Sequence, residues 1–226
     1  MRPKDLKSPF NWENRHVTIE DRIWYVPGNF EDYHLFSFPG WDHSSIFDQQ
    51  KPICLEFCSG NGAWIAEKAL SNLDYNWVAI ERKFVRVRKI WSKIKNLKLT
   101  NLLAVCSEGY ILTEKYLPSE SVQKVFINFP DPWPKTRHGK HRIIQAPFIK
   151  EICRILQLNG ELTIVTDDED YSKSIIKILR EFPALQSLCG EAYYLEEYPH
   201  YGTSYFEDLW RSQGKKIRYH LLQKIA

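Results

Sequence analysis

The chain changes character near Lys51. Before that point Arg and Lys mix with Trp12, Trp24, Tyr25, Tyr33, Phe36, Phe38 and Trp41 without a clear period. Residues 1–50 therefore read as an irregular extension packed on the main domain, with about the first ten residues mobile. After Lys51, short apolar runs alternate with amphipathic stretches. The runs at 52–57, 77–81, 102–106, 123–128 and 161–166 predict strands. Helical spacing predicts helices near 63–72, 84–97, 111–116, 146–156 and 168–181. Strands that alternate with helices build a parallel sheet covered on both faces, so residues 51–226 form a Rossmann-like α/β domain. The run 217–223 adds a last strand in an antiparallel position. In an open sheet of this kind ligands bind beyond the carboxyl ends of the strands, and the segments just after each strand are where chemistry is expected.

The first such segment is Glu56-Phe57-Cys58-Ser59-Gly60-Asn61-Gly62. Gly60 and Gly62 allow a tight turn and a close approach to a ligand. Cys58 stands where a dinucleotide fingerprint would have glycine, and a glycine turn of this kind also occurs with no ligand. Glu81, nineteen residues beyond Gly62, ends the second strand, where a carboxylate accepts from two ribose hydroxyls. Pairing with Arg82 or Lys83 would explain it as well. Glu56 decides which nucleoside is meant: a negative charge beside the turn repels phosphates and favours a sulfonium or amino group. With no GxxxxGK[ST] motif for a triphosphate, the turn favours S-adenosyl-L-methionine over NAD or ATP. Glu108, after the third strand, is a candidate acceptor for the adenine amino group, or a surface residue.

The fourth strand ends in Asn128-Phe129-Pro130-Asp131-Pro132-Trp133-Pro134, a stiff loop with a carboxylate held between prolines. The next eight residues, Lys135 to Arg142, hold four Lys or Arg and two His with no acid. Next to a reaction centre such a run reads as a phosphate contact, and away from one as a solvated face. A second basic stretch, Lys83, Arg86, Arg88, Lys89, Lys93 and Lys95, reads as a surface helix.

Composition narrows the setting. A formal net charge of +3 excludes a global polycation, so binding of nucleic acid has to rest on local clusters. Five scattered cysteines without a CxxC pair argue against a disulfide framework or zinc site and for the reducing cytoplasm. Neither a secretory signal nor a membrane-spanning run is apparent, and no metal is expected. Oligomeric state stays open between monomer and homodimer.

The strings NFPDPWPKTRHGKHR at 128–142, TDDEDY at 166–171 and TSYFE at 203–207 are ordered correctly around such a sheet. Through them the span from Glu56 to Glu207 resembles the bacterial tRNA (guanine-N7-)-methyltransferases. The resemblance implies a class I methyltransferase sheet and methylation of a guanosine in the tRNA variable loop, at position 46. It implies that Glu56, Gly60, Gly62, Glu81 and Glu108 contact the cofactor and that Asp131 lies at the active centre beside it. It also implies that Lys135, Asp167, Ser204, Tyr205, Phe206 and Glu207 face the substrate. Arg137, His138, Gly139, Lys140, His141 and Arg142 would then lie on RNA. Cys58, Glu108 and Ser204 depart from the Gly, Asp and Thr usual in that family, without loss of a required functional group.

Guanine N7 carries a lone pair and no proton, so Asp131 is expected to position and stabilise charge rather than act as a base. Phe129 and Trp133 are candidates to stack on the presented base, with Trp133 equally a loop anchor. Asp168, Glu169 and Asp170 have the pattern of a helix cap. Two rivals remain. One is a methyltransferase of exocyclic amino groups, whose site loop places its prolines together. The other is an RNA-binding protein that kept the fold and lost catalysis.

Overall fold

The computed structural model describes residues 1–11, 13, 15–28, 32–133 and 136–226, the side chains of 136–138 excepted. It falls into two units, Met1–Leu117 and Pro118–Ala226.

The first unit contains β1 (Thr18–Glu20), β2 (Ile23–Tyr25), β3 (Ile53–Phe57), α1 (Ala63–Ser71), β4 (Asn76–Glu81), α2 (Phe84–Leu97), β5 (Leu102–Cys106) and α3 (Gly109–Lys115). Its strands lie in the order β1-β2-β5-β4-β3. β3, β4 and β5 are parallel and buried at every position, which is why their sequences are continuous apolar runs rather than alternations. Helix α2 follows the opposite rule. Val87, Ile90, Trp91 and Ile94 are buried at helical spacing and its cations lie on the remaining faces.

The segment before residue 50 supplies two strands that no apolar period announces. β2 runs parallel to β5, with Trp24 beside Val105, and β1 folds back on β2 through Asp21-Arg22. Both turn residues have positive φ, 50° and 67°, the conformation of a two-residue hairpin turn usually given to Asn-Gly. Side chains hold the turn in place of glycine. Arg22 donates to the Ile46 carbonyl (2.7 Å) and pairs with Asp48, and Lys95 pairs with Asp21. The extreme N-terminus, expected to be mobile, lies along α2. Arg88 donates twice to the Leu6 carbonyl, Ser92 donates to the Met1 carbonyl, and Phe10 stacks on Tyr25 at 3.9 Å. The basic stretch of α2 is thus spent largely on holding its own unit together.

The second unit contains β6 (Val122–Asn128), α4 (Ala146–Ile155), β7 (Leu156–Thr166), α5 (Glu169–Leu179), β8 (Leu185–Ser187), α6 (Tyr205–Ser212) and β9 (Arg218–Lys224), with strand order β6-β7-β9-β8. β6 and β7 are parallel, whereas β9 is antiparallel to both β7 and β8. The antiparallel last strand is as the sequence predicts. β7 begins at Leu156 rather than 161, directly after α4, because Leu156 already pairs with Val122 of β6; the register then shifts through Asn159 (φ 64°) and Gly160 before Glu161 pairs with Lys124. A Cβ at Gly160 would come within 2.8 Å of the Gln157 carbonyl oxygen and 3.1 Å of that of Gln123, so only glycine fits. β8 and α6 are short elements absent from the predicted set, although Tyr205, Phe206, Leu209 and Trp210 of α6 do lie at helical spacing. Among the described residues no helix is long and apolar enough to cross a membrane.

His220 sits on β9, fully buried, with Nδ1 on the Tyr193 carbonyl (2.8 Å) and Nε2 on the Ser172 hydroxyl (3.1 Å). Burial pushes its imidazole down to about 4, with Arg218 adding to the effect against the Tyr193 carbonyl. Below about 6.5 the unfolded chain takes up a proton that the folded chain refuses until about 4. The stability that the neutral His220 contributes is therefore fully present above pH 6.5 and is lost as the pH falls from there to 4, by up to about 3 kcal/mol. Urea midpoints at pH 7 and pH 4.5 should fall steeply for the wild type and less for His220→Gln. Equal falls in the two proteins would show that His220 does not set the acid limit.

Candidate active site

In the first unit the carboxyl ends of β3, β4 and β5 lie in register, with Phe57 beside Ile80 and Glu81 beside Cys106. Each end presents a carboxylate: Glu56 within β3, Glu81 closing β4, and Glu108 just after β5. Glu56 is 2% exposed in a strand whose other residues are apolar. A charge at such a depth favours a cationic group nearby. Glu81, 6% exposed, reaches the glycine turn. Its Oε2 accepts from the Gly60 N–H (3.2 Å), its Oε1 accepts from the Lys83 N–H (2.9 Å), and Arg86 stands 3.5 Å away. A carboxylate has about four lone-pair sites, so acceptor capacity remains for hydroxyl donors. The neighbouring Cys106 thiol is pushed up to about 12 by burial and by Glu81, and stays a thiol. Glu108 is half exposed, pairs with Arg82 at 3.7 Å and stands at the start of α3. An exposed pair of this kind is worth at most about 1 kcal/mol, so Glu108 is readily available to a ligand.

The turn between β3 and α1 places Cys58, Gly60 and Gly62 at positive φ, 62°, 54° and 68°. Gly62 answers to more than a ligand. A Cβ there would stand 2.6 Å from Cγ1 of Ile90 on α2, so helix packing itself demands glycine. Lys93 of α2 donates to the Asn61 carbonyl (2.9 Å) and pins the same turn. Burial, then Lys89, pushes its ammonium down. The residues present suit a nucleoside with a positive centre: acceptors for hydroxyls, a buried carboxylate, and a lysine spent on a backbone carbonyl.

In the second unit β6 ends at Asn128 and the proline loop follows. Phe129 and Trp133 both have positive φ, 45° and 43°, an uncommon conformation for bulky residues. The Phe129 N–H donates to the Val165 carbonyl (2.9 Å), fixing the start of the loop, and its ring lies 6.0 Å from that of Phe206. Asp131, between these two strained residues, is exposed. Lys135 lies outside the described residues, as do the side chains of Arg137 and His138. Lys140 and His141 are exposed, and His141 lies 5.2 Å from the Trp133 ring. Gly139 has open space where a Cβ would be, so no steric demand explains it.

Arg142 behaves differently from the rest of the basic run. Its guanidinium turns inward onto the loop: Nε donates to the Pro132 carbonyl (2.7 Å), Nη2 to that of Trp133 (3.5 Å) and Nη1 to the Ser174 hydroxyl (3.1 Å). It also lies over the ring of Tyr171 at 4.9 Å.

The remaining predicted residues form two groups. Asp167, at the end of β7, pairs with Lys215 at 2.5 Å, whose ammonium lies 3.8 Å from the Trp210 ring. Asp168 is the N-cap of α5, accepting from the Tyr171 N–H, while Glu169 and Asp170 pair with Lys173. Ser204 is the N-cap of α6 and accepts from the Glu207 N–H (3.1 Å). Glu207, 7% exposed, accepts at Oε1 from the Tyr219 hydroxyl (2.5 Å) and Arg211 (3.2 Å). Its Oε2 is buried with no hydrogen-bond partner among the described residues. Tyr205 is exposed and Phe206 partly so. Lys215, Trp210 and Tyr219 are residues that sequence reasoning missed, since each meets its partner only through the antiparallel return of β9 and the turn before it. Among the described residues no cluster of His, Cys, Asp or Glu could hold a metal ion.

Comparison with known proteins places these features in a family. A family model described as “Putative methyltransferase” matches residues 50–220. A tRNA (guanine-N(7)-)-methyltransferase of Chlamydia muridarum is 45% identical over 219 residues, covering 96% of this chain and 95% of that protein. The chain belongs to the tRNA (guanine-N7-)-methyltransferase family. Its sheet is also that of more distant methyltransferases. A SAM-dependent methyltransferase from Aquifex aeolicus superposes with a TM-score of 0.55 at 15% identity, over 87% of this chain and all of that one. An rRNA methylase from Streptococcus thermophilus gives 0.54 at 13% identity, over 78% and 88%. At such identities these structures speak for the Rossmann-like fold alone. In this tRNA (guanine-N7-)-methyltransferase family member, Cys58 at positive φ carries the backbone strain that a glycine would avoid.

Proposed function

We propose that this protein transfers a methyl group from S-adenosyl-L-methionine to N7 of a guanosine in tRNA, at position 46 of the variable loop. The observation that carries this reading is the 45% identity to a tRNA (guanine-N(7)-)-methyltransferase along 96% of the chain. The acid-lined strand ends and the proline loop supply groups of the kind the reaction needs.

When bound, the cofactor would supply a methyl group activated by a sulfonium. Glu81 would accept from the two ribose hydroxyls, with Gly60 holding the carboxylate in place, and Glu108 would meet the adenine amino group. Glu56 would favour the positive centre by its buried charge. Asp131 has no proton to remove. Its task is to hold the guanine edge and to favour the positive charge that arises on the purine as the methyl arrives. Glu207 offers a buried oxygen without a donor among the described residues, at a cost of about 1–3 kcal/mol that an N–H of the base would relieve. Phe129 and Phe206 would flank the presented base. Lys140 and His141 would meet phosphates, and with them Lys135, Arg137 and His138.

Incubation of the protein with unmodified tRNA and methyl-labelled cofactor, followed by nucleoside analysis, tests this reading. Label is expected in 7-methylguanosine. Label in an amino-methylated nucleoside would replace it with the exocyclic-amine reading, and cofactor binding without label transfer would replace it with that of an RNA-binding protein.

A further inference from the structure

We infer that Arg142 is a positioning residue for the Asp131 loop rather than one of the RNA contacts of the basic run. The inference rests on the reading of Asp131 as the group at the reacting base.

The loop needs such a residue for two reasons. Pro130 and Pro132 have no N–H, so the segment cannot close a ladder of backbone hydrogen bonds on itself. Phe129 and Trp133 sit at positive φ, a conformation that persists only where the surroundings fix it. At the start of the loop the Phe129 N–H does this through the Val165 carbonyl. At the end, Arg142 supplies groups that do so. One planar guanidinium reaches the carbonyls of Pro132 and Trp133 on one side and Ser174 of α5 on the other, over the Tyr171 ring. Tyr171 is fully buried, and its hydroxyl accepts from the Ile144 N–H (3.3 Å). Asp131 is therefore suspended between a main-chain anchor on β7 and a side-chain anchor tied to α5. A guanidinium donates through several N–H groups in fixed directions, and a lysine ammonium cannot reproduce that fork. Since three of its five N–H donors are turned to the protein, Arg142 has less to offer a phosphate than the exposed Lys140.

The two roles give opposite results for Arg142→Lys. A phosphate contact would survive the change, because the charge survives. A strut would fail, because a loop displaced by about 1 Å costs on the order of 100-fold in turnover. We expect kcat to fall about 10- to 100-fold with KM for tRNA and the cofactor Kd within about twofold of wild type. For Arg142→Gln the slope of log affinity against log salt should stay at the wild-type value, whereas Lys140→Ala should reduce it by on the order of one. Ser174→Ala, which loosens the strut without touching Arg142, should lower kcat by a smaller factor, and hydrogen exchange at the Phe129 amide, which is bonded to the Val165 carbonyl, should rise in all three strut variants. Wild-type kcat in Arg142→Lys, or a reduced salt slope in Arg142→Gln, would overturn the inference. If Arg142→Lys or Arg142→Gln fails to bind cofactor and so to fold, an unchanged kcat in Ser174→Ala would overturn it in their place. Loss of the parent reading is separate: it would show as wild-type protein that makes no 7-methylguanosine, or as Asp131→Ala with full turnover.

Discussion

Asp131→Ala is expected to lower methyl transfer to tRNA by at least about 100-fold while the calorimetric affinity for S-adenosyl-L-methionine changes little. The expectation follows from where the carboxylate stands and from what the reaction lacks. Asp131 is exposed on a loop whose two flanking aromatic residues are held at positive φ, so its backbone is fixed although its side chain is free to meet a ligand. N7 offers no proton, which leaves orientation of the base and stabilisation of its new charge as the contributions open to a carboxylate. Asp131→Asn separates these two. It keeps an acceptor but removes the charge, so a loss close to that of Asp131→Ala assigns the effect to charge, and a much smaller loss assigns it to orientation. Cofactor binding lost with turnover intact would remove Asp131 from the reaction.

The second large effect is expected at Glu81. Two ribose hydroxyls donating to one carboxylate are charge-assisted hydrogen bonds, each worth about 1.5–3 kcal/mol. Glu81→Ala should therefore weaken cofactor binding by roughly 100-fold or more, read by calorimetry, with tRNA affinity unaltered. The same residue also accepts from Gly60 and Lys83, so its loss leaves two backbone donors of the turn without their partner. Glu81→Gln preserves the volume and one acceptor oxygen and keeps the fold as a control. An unchanged cofactor Kd in both variants would show that Glu81 serves only to hold the turn.

Much of the sheet was legible because parallel strands buried on both faces leave unbroken apolar runs, as at β3, β4 and β5. The site was legible in part for the same reason, since ligand groups follow directly on those runs. What escaped did so for physical causes. The β1–β2 hairpin turns on Asp21-Arg22, where long-range pairs with Asp48 and Lys95 take the role that glycine has in an ordinary signal. α6 has only one buried residue, Glu207, and its apolar residues Tyr205, Phe206, Leu209 and Trp210 repeat at helical spacing over barely two turns, too short a run to announce a helix. Arg142 belongs to a run of like charges, and nothing in its neighbours tells an inward guanidinium from an outward one; only Ser174 and Tyr171, about thirty residues on, make the difference. Gly62 was read as a ligand approach, and the Ile90 side chain supplies a second demand that sequence spacing does not reveal.

That second demand sets how freely the cofactor turn can drift in evolution. At position 58 what opposes a side chain is the backbone conformation, at a cost of roughly 1–2 kcal/mol, and this chain carries a cysteine there. At position 62 the backbone and Ile90 oppose it together. A smaller residue at 90 would lift one barrier and leave the other, so no single neighbouring change opens that position. Sequence divergence in the turn should accordingly collect at 58 and spare 62, and the variability of the loop would record helix packing as much as ligand binding.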